Sequence, residues 1–281
     1  RWNDIVAPSP ESASPSAGGP TTRPSSTEYA GLNTGSSQYT DLIACWPMWE
    51  AQDTAITDLV LGLTGSMQNA WPTISNDTEF GNHPVGGGNG AGGGTMKGYH
   101  VSHDNRIDPG YNKQTGVPWA QSFWFRTLVT NNPGTDSYIL SFCNNASPWT
   151  GTAISLDTGD TVACNTNGST LSDAGFKTTA NTYFDLGWHH LLFVQVPEDT
   201  DNTFTATNTY YVDGALDGSN SGCVNVQTTT SDLYFLSNIQ GDPPADAAIC
   251  DFRYYRGSNF NAANLASSLY AESTRWELYL T

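Results

Sequence analysis

The sequence predicts an all-β protein in which two antiparallel sheets form a sandwich, with one short C-terminal helix and an extended N-terminal tail. Strand-like runs separated by Gly, Pro, Asn and Asp fill the chain from Asp41 onward, and a helical pattern occurs near the C-terminus. The first 40 residues are rich in Pro, Ser and Thr. The chain has 281 residues, 37% of them hydrophobic, which suffices for one sizeable core.

Runs rich in Val, Ile, Thr and aromatic residues have the composition of β-strands. They cover residues 42–49, 122–129, 138–143, 152–156, 188–196, 203–212, 232–236 and 248–255. The 188–196 run is apolar on both alternating faces, so we expect both faces of that strand to be covered. Asp213-Gly214, directly after Val212, is a two-residue turn signal that predicts a hairpin.

The helical pattern covers residues 262–270. Asn261 is a good N-cap residue, and Leu265 and Leu269 share one face of the helix. Phe260, just before the cap, is expected to pack against Leu265 as a hydrophobic staple.

The domain organisation has two parts, a tail over 1–40 and a folded domain over 41–281. Five prolines interrupt the tail before residue 25, and its apolar content is too low to offset the entropy of ordering it alone. An ordered tail therefore needs a surface, either its own domain or a neighbouring subunit. The second case predicts self-association into a homo-oligomer or filament through the tail.

The net charge of the chain limits the classes of molecule that it can bind. Only 13% of residues are charged, and 27 acidic against ten basic residues give a net charge of −17. This field repels the phosphates of nucleic acids and anionic membranes. No apolar run reaches the roughly 18 residues needed to span a membrane. A neutral polar surface is common outside cells, so the expected location is extracellular, on a cell surface or on a virion surface.

The five cysteines are Cys45, Cys143, Cys164, Cys223 and Cys250. None lies in a Cys-x-x-Cys pair, which argues against a zinc ribbon or a thioredoxin-like site. Four of them are enough for two disulfides, and the alternative is that all five are small buried hydrophobic residues.

Several motifs resemble the concanavalin A-like lectin-glucanase superfamily, in particular its LamG-type members. They are the opening run 42–50 (LIACWPMWE), Phe123-Trp-Phe-Arg126, Trp188-His-His-Leu-Leu-Phe-Val194, Tyr210-Tyr-Val-Asp-Gly214, and Asp251-Phe-Arg-Tyr-Tyr-Arg256 followed by the helix. They occur in the family's order over residues 42–270, and Pro47 in the first motif departs from the pattern. The resemblance implies a two-sheet jelly-roll sandwich in which the first and last strands pair.

The same resemblance implies disulfide partners. Pairing of the first and last strands would bring Cys45 close to Cys250, which is the leading disulfide. Cys143 and Cys164, placed in neighbouring strands, are the second pair, and Cys223 is left over.

The family includes glycosidases, whose retaining mechanism needs two carboxylates about 5 Å apart. No same-face acidic series of that kind occurs. His100 and His103, and likewise His189 and His190, are expected to point to opposite faces of their strands. We therefore predict a protein that is not an enzyme, with a glycoside hydrolase kept as a distant alternative.

Two loops carry oxygen ligands of the kind that calcium prefers. Asp104, Asn105 and Asp108 form one set, and Glu198, Asp199 and Asp201 form the other. Neither has EF-hand spacing, so Asx turns and solvated loops are the alternative interpretation.

Sugar binding needs exposed aromatic rings beside amide and carboxylate groups. Trp71, Trp119, Trp149 and Tyr111 have loop-like sequence contexts and are the predicted sugar contacts. Trp46, Trp124 and Trp188 fall within strands and are predicted core residues. Glycosylation sequons begin at Asn76, Asn145 and Asn167, all in expected loops.

Two functions remain. The first is a structural or adhesive subunit of an extracellular or virion assembly, whose jelly roll mediates assembly and surface recognition. The alternative is a lectin-like carbohydrate-binding module with calcium as the candidate cofactor.

Overall fold

The computed structural model confirms the predicted two-sheet antiparallel sandwich with one C-terminal helix. It describes residues 41–69, 71–77, 80–86, 97–109, 117–130, 137–143, 151–157, 161–166, 176–177, 183–198, 205–224, 231–237 and 246–271. The tail predicted over 1–40 lies outside these residues and stays a prediction.

Sheet A contains eight strands, five of which coincide with the predicted runs 42–49, 122–129, 188–196, 203–212 and 248–255. They are β1 (Leu42–Trp46), β4 (Thr73–Asp77), β5 (Gly81–Val85), β7 (Trp119–Thr127), β12 (Trp188–Pro197), β13 (Thr205–Val212), β14 (Ala215–Val224) and β16 (Ala247–Arg256). The order is β14-β13-β12-β7-β16-β5-β4, and β1 pairs with β16.

Sheet B also contains eight strands and packs against sheet A. They are β2 (Ile56–Thr57), β3 (Thr64–Asn69), β6 (Lys97–Val101), β8 (Ser137–Cys143), β9 (Gly151–Asp157), β10 (Thr161–Thr166), β11 (Phe176–Lys177) and β15 (Leu233–Phe235). The order is β11-β10-β9-β8-β15-β6-β3-β2.

The main core lies between the sheets. Trp46 on β1 packs against Phe235 on β15 and Phe252 on β16, and Tyr210 on β13 reaches across to the Cys164 carbonyl on β10. Strand β12 is covered on both faces, as predicted. Leu191 faces this core, and Leu192 belongs to a second cluster on the outer face of sheet A.

Helix α1 (Ala262–Ala271) covers that outer face. Asn261 caps it, because its side-chain oxygen accepts the Asn264 N–H at 3.0 Å. Leu265 and Leu269 are buried in the second cluster, and Phe260 packs against the same cluster. The predicted cap and apolar face are confirmed.

The first and last strands pair as predicted. Leu42 lies opposite Tyr255 and Trp46 opposite Phe252. Strand β1 is shorter than the predicted 42–49 run. It ends before Pro47, which has no N–H for the ladder, and the next residue, Met48, has a φ of 61°.

The predicted Cys45–Cys250 disulfide is not formed, and the register of β16 gives the reason. Cys45 lies opposite Arg253 on β16, whereas Cys250 lies opposite Trp124 on the other side of the strand. The Cys45 thiol instead approaches the Asp251 carboxylate at 3.9 Å.

The second predicted disulfide is also not formed. Cys143 ends β8 and Cys164 lies on β10, but β9 runs between these strands, so they are not neighbours. Cys164 belongs to the main core, and Cys143 packs with Tyr138 and Ala153 in a separate cluster. All five cysteines are buried thiols in the structure.

Asn76 lies on strand β4 and not in a loop, which corrects the sequence-based placement. Its side chain is exposed and donates to Asn82 at 2.8 Å. Asn145 and Asn167 lie outside the described residues. Glycosylation at the three sites stays a prediction.

Candidate functional site

Three strand termini of sheet A define one end of the sandwich, named here the Trp119 end. Strand β7 begins there at Trp119, which lies opposite Gln195 near the end of β12 and opposite Arg256 at the end of β16. The 104–108 segment joins it, because the Arg256 guanidinium donates to the Asn105 carbonyl at 3.1 Å. Trp119 and the 104–108 segment therefore lie at the same end of the molecule.

Strand β8 of sheet B ends at the same place. The imidazole of His103 lies 6.2 Å from the Phe142 ring, and its Nε2 is 3.2 Å from Asp108 Oδ2. Asp108 is fully buried, so its carboxylate is held against His103 and not presented to solvent.

The carboxylate of Asp104 is also occupied. Its oxygens accept two hydrogen bonds from Arg106 Nε and one from Arg106 Nη2, the last at 2.6 Å. These hydrogen bonds lower the pKa of Asp104. The predicted set Asp104, Asn105 and Asp108 thus makes internal contacts. Among the described residues, no group of three or more His, Cys, Asp or Glu side chains is arranged to hold a metal ion.

Glu198 follows β12 directly at the Trp119 end. Its Oε1 accepts the Gly222 N–H at 2.6 Å and the Thr207 hydroxyl at 3.0 Å. The backbone hydrogen bond from Gly222 lowers the pKa of this carboxyl group. Asp199 and Asp201, its predicted partners, lie outside the described residues.

Trp119 is not the exposed sugar contact that its sequence context suggested. It begins a central strand, is 1% exposed, and packs between Phe193 and Tyr254. Its indole N–H donates to Gln195 Oε1 at 3.2 Å, and Gln195 Nε2 donates to Asn208 at 2.8 Å. This chain of buried polar groups lines the interior at the Trp119 end.

Tyr111 and Trp149 lie outside the described residues. Among the described residues that flank them in the chain are Asp108 and Cys143, both of which belong to the Trp119 end. Both residues stay predicted sugar contacts.

Trp71 is separated from the others. It follows Asn69, which pairs with Lys97 at the end of β6 that lies away from His103. The half-buried ring makes an edge contact with Tyr99 at 5.9 Å. Nearby, Gln52 donates to the Pro72 carbonyl and accepts the Ile74 N–H, so an exposed amide lies beside this tryptophan.

Two Ser–His contacts in the described residues approach a catalytic pairing. Ser66 Oγ lies 3.2 Å from His100 Nε2, and Ser122 Oγ lies 2.8 Å from His190 Nε2. A nucleophile of this kind needs a group that orients the other imidazole nitrogen. In both described pairs, Nδ1 is buried without a hydrogen-bond partner, so neither pair has the geometry of a triad.

The adjacent histidines 189 and 190 diverge as predicted. His190 is on the outer face of sheet A against Trp124, where burial lowers its pKa to about 3. His189 faces the other way, with Nδ1 2.8 Å from Asp213 and Nε2 3.0 Å from Asp185.

One cluster on the outer face of sheet A escaped the sequence reasoning. Asp77 on β4 accepts hydrogen bonds from the Trp188 indole at 2.9 Å and from Arg126 at 3.2 Å. The Arg126 guanidinium lies 5.0 Å from the centre of the Trp188 ring, and His83 is fully buried beside it. No sequence signal indicates this cluster, because its members come from the β4–β5 hairpin and from two strands, β7 and β12, that are far from it in the chain.

Comparisons with known proteins agree with the fold. No family model matches the chain, and no curated protein matches it. The chain is similar to the binding domain of Paraclostridial Mosquitocidal Protein 1, with a TM-score of 0.60 and 15% identity over 84% of this chain and 52% of that chain.

It is also similar to a structure of botulinum neurotoxin type C, whose cell entry is described as dependent upon interaction with two ganglioside molecules. That match has a TM-score of 0.58 and 13% identity over 87% of this chain and 53% of that one. A Trypanosoma rangeli sialidase matches with a TM-score of 0.53 and 13% identity, over 83% of this chain and 32% of the sialidase.

The chain spans about half the length of the two toxin structures. Identities this low establish the fold alone. The class of protein is therefore a two-sheet antiparallel β sandwich, and the LamG family is not specifically indicated. In the part of the chain that the structure describes, no helix is long and apolar enough to cross a membrane.

Proposed function

We propose that the protein is a non-catalytic extracellular binding module that recognises carbohydrate at the Trp119 end. The observation that supports the proposal is the convergence of two oxygen-bearing segments, 104–108 and Glu198, on this end. Asn105, Asp108 and Glu198 lie near strand termini there, and Tyr111 and Trp149 are the proposed sugar-stacking residues.

The comparisons support the same class of function. The mosquitocidal structure is that of a binding domain, about half of which matches this chain, and the cell entry of the neurotoxin depends upon interaction with two ganglioside molecules. The sialidase match keeps a glycoside hydrolase as the alternative. The described Ser–His pairs lack an orienting group, which favours binding over acyl-transfer chemistry.

A glycan array tests the proposal directly. We expect the wild-type protein to retain at least one glycan, and Trp149→Ala to weaken its binding about tenfold or more, as truncation of a tryptophan at a binding hot spot does. Trp71→Ala is the matched control, because Trp71 lies away from the Trp119 end. Retention of no glycan by the wild-type protein contradicts the proposal.

Calcium is a separate arm of that experiment. Glu198 and the 104–108 segment lie at the same end, and the net charge of −17 favours cations. If calcium is the cofactor, EDTA removes glycan retention and added Ca²⁺ restores it. If glycan retention is equal with and without EDTA, the protein binds the glycan through its side chains without calcium.

A structural or adhesive role on a cell or virion surface is the second proposal. Strand β14 is an edge strand of sheet A in the described residues, and its Leu216 is 62% exposed. An edge of this kind accepts added strands, and the 1–40 tail of a neighbouring subunit is the proposed donor. Electron microscopy and light scattering of the full chain and of a form lacking residues 1–40 decide it. Monomers in both samples contradict this role.

A further inference from the structure

The interior of the sandwich is polar at the Trp119 end. Trp119, Gln195 and Asn208 form the hydrogen-bonded chain described above, which crosses three neighbouring strands between the two sheets. All three residues are at most 1% exposed. Core packing alone does not require amides here, because apolar side chains of similar volume fill such positions without a desolvation cost.

Gln121 and Tyr254 extend this interior row across β7 and β16. They lie directly opposite each other in the sheet register, and Tyr254 stacks on the Trp119 ring with centroids 6.4 Å apart. Gln121 alternates with Trp119 and Phe123, so its side chain also faces inward. Each residue is 1% exposed.

Two atoms of this pair have no hydrogen-bond partner within the described part of the chain, Gln121 Oε1 and the Tyr254 hydroxyl. In folded proteins roughly nine in ten buried polar groups are hydrogen-bonded, either to protein or to ordered water. Gln121 and Tyr254 are directly opposed in the register and face the same interior, so one shared partner is the simplest explanation for both groups.

We propose that ordered water is bound between the sheets at the Trp119 end, hydrogen-bonded to Gln121 Oε1 and the Tyr254 hydroxyl. Water supplies the donor that the amide oxygen needs, and it accepts the hydrogen of the phenol. Burial raises the pKa of Tyr254, so the phenol keeps that hydrogen. Buried water in folded proteins typically bridges polar groups that otherwise have no partner.

The stability of variants that lack one of the two polar groups distinguishes a bound water from a pair of unsatisfied groups. When a buried polar group is satisfied, its removal destabilises the fold, whereas removal of an unsatisfied group is neutral or stabilising. Tyr254→Phe removes only the hydroxyl and keeps the ring on Trp119. We expect it to shift the unfolding equilibrium constant in urea about tenfold toward the unfolded state. Gln121→Met is expected to act in the same direction.

Two tyrosines provide matched controls. Tyr210→Phe removes a hydroxyl that donates to the Cys164 carbonyl at 3.3 Å, and it should destabilise the fold to a similar extent. Tyr270→Phe changes a side chain that is 43% exposed, and it should leave the equilibrium constant within about twofold. If Tyr254→Phe is as stable as the wild-type protein or more stable, the bound-water proposal is wrong.

A crystal structure at about 1.5 Å resolution provides the second measurement. The expected result is a density peak within hydrogen-bond distance of both Gln121 Oε1 and the Tyr254 hydroxyl. An interior without such a peak overturns the proposal, and leaves the proposed glycan recognition unaffected.

Discussion

Trp188 donates its indole N–H to Asp77 at 2.9 Å, although 111 positions separate the two residues in the chain. The same carboxylate accepts the Phe80 N–H at 2.7 Å and a hydrogen bond from Arg126 at 3.2 Å. Asp77 thus connects the β4–β5 hairpin, at one edge of sheet A, to the side chains of β7 and β12 on the outer face.

Replacement of Asp77 tests this role. Asp77→Asn keeps the size of the side chain but places amide hydrogens against the indole and the guanidinium. We expect a loss of about 1 to 3 kcal/mol in the free energy of unfolding, measured by urea denaturation. The control is Asp53→Asn, in an exposed loop, which should leave stability unchanged. If Asp77→Asn and Asp53→Asn change the free energy of unfolding equally, the hydrogen bonds of Asp77 do not stabilise the fold.

The pH dependence of stability reports on His189. Burial lowers its pKa, but the hydrogen bonds and charges of Asp213 and Asp185 outweigh burial, so the pKa lies above its ordinary value. A raised pKa stabilises the fold below the unfolded-state value of about 6.5, and the contribution is lost as pH rises through the folded-state pKa. Relative to His189→Gln, the wild-type protein should lose unfolding free energy from pH 6 to pH 8.5. A difference that does not vary with pH would contradict this assignment.

His190 should show the opposite dependence. Burial and the positive charge of Arg253 lower its pKa to about 3, so the imidazole is neutral in the folded protein. The stabilising contribution is present above about pH 6.5 and is lost as pH falls toward 3. The unfolding free energy of the wild-type protein, compared with His190→Asn, should therefore fall between pH 6.5 and pH 4. If the unfolding free energy of the wild-type protein rises relative to that of the variant as pH falls from 6.5 to 4, His190 carries a charge in the folded protein.

The Asp213-Gly214 turn gives a prediction with a built-in control. Gly214 has a φ of 77°, and an added Cβ would lie 3.1 Å from the Cβ of Tyr270. Gly62 has a φ of 75°, and an added Cβ would meet nothing within 4 Å. Both changes to Ala should cost about 1 to 2 kcal/mol for the left-handed backbone. Gly214→Ala should lower the thermal midpoint more than Gly62→Ala does, because the new Cβ displaces Tyr270 on helix α1. Equal thermal midpoints for the two variants would show that the helix moves aside without loss of stability.

The thiols give a direct chemical test. The structure has five buried cysteines and no disulfide among them. Unfolded in guanidinium without reductant, the protein should release five titratable thiols per chain, and reductant should not shift its thermal midpoint. A count of three or of one would instead support the disulfides implied by the family resemblance.

The local sequence pattern was enough to predict the strands with alternating or wholly apolar faces, the capped helix and the Asp213-Gly214 hairpin. It missed β3 to β5, whose sequences, such as TGSMQN and GNHPV, contain Gly, Asn and Pro. Residues of this kind have low strand propensity, so those strands depend on their neighbours in the sheets. Trp119 was misplaced for a related reason, since the prolines and glycines around it resemble a loop.

The sequence by itself determined that this is an antiparallel β protein with an acidic, weakly charged surface and one C-terminal helix, because periodicity, turn residues and composition are local properties. Only the tertiary structure decided which residues meet. The register of β16 separates Cys45 from Cys250, the order of sheet B puts β9 between Cys143 and Cys164, and Gln121 faces Tyr254 inside the sandwich. Strand pairing over long separations depends on the free energy of the whole core, which no short segment contains.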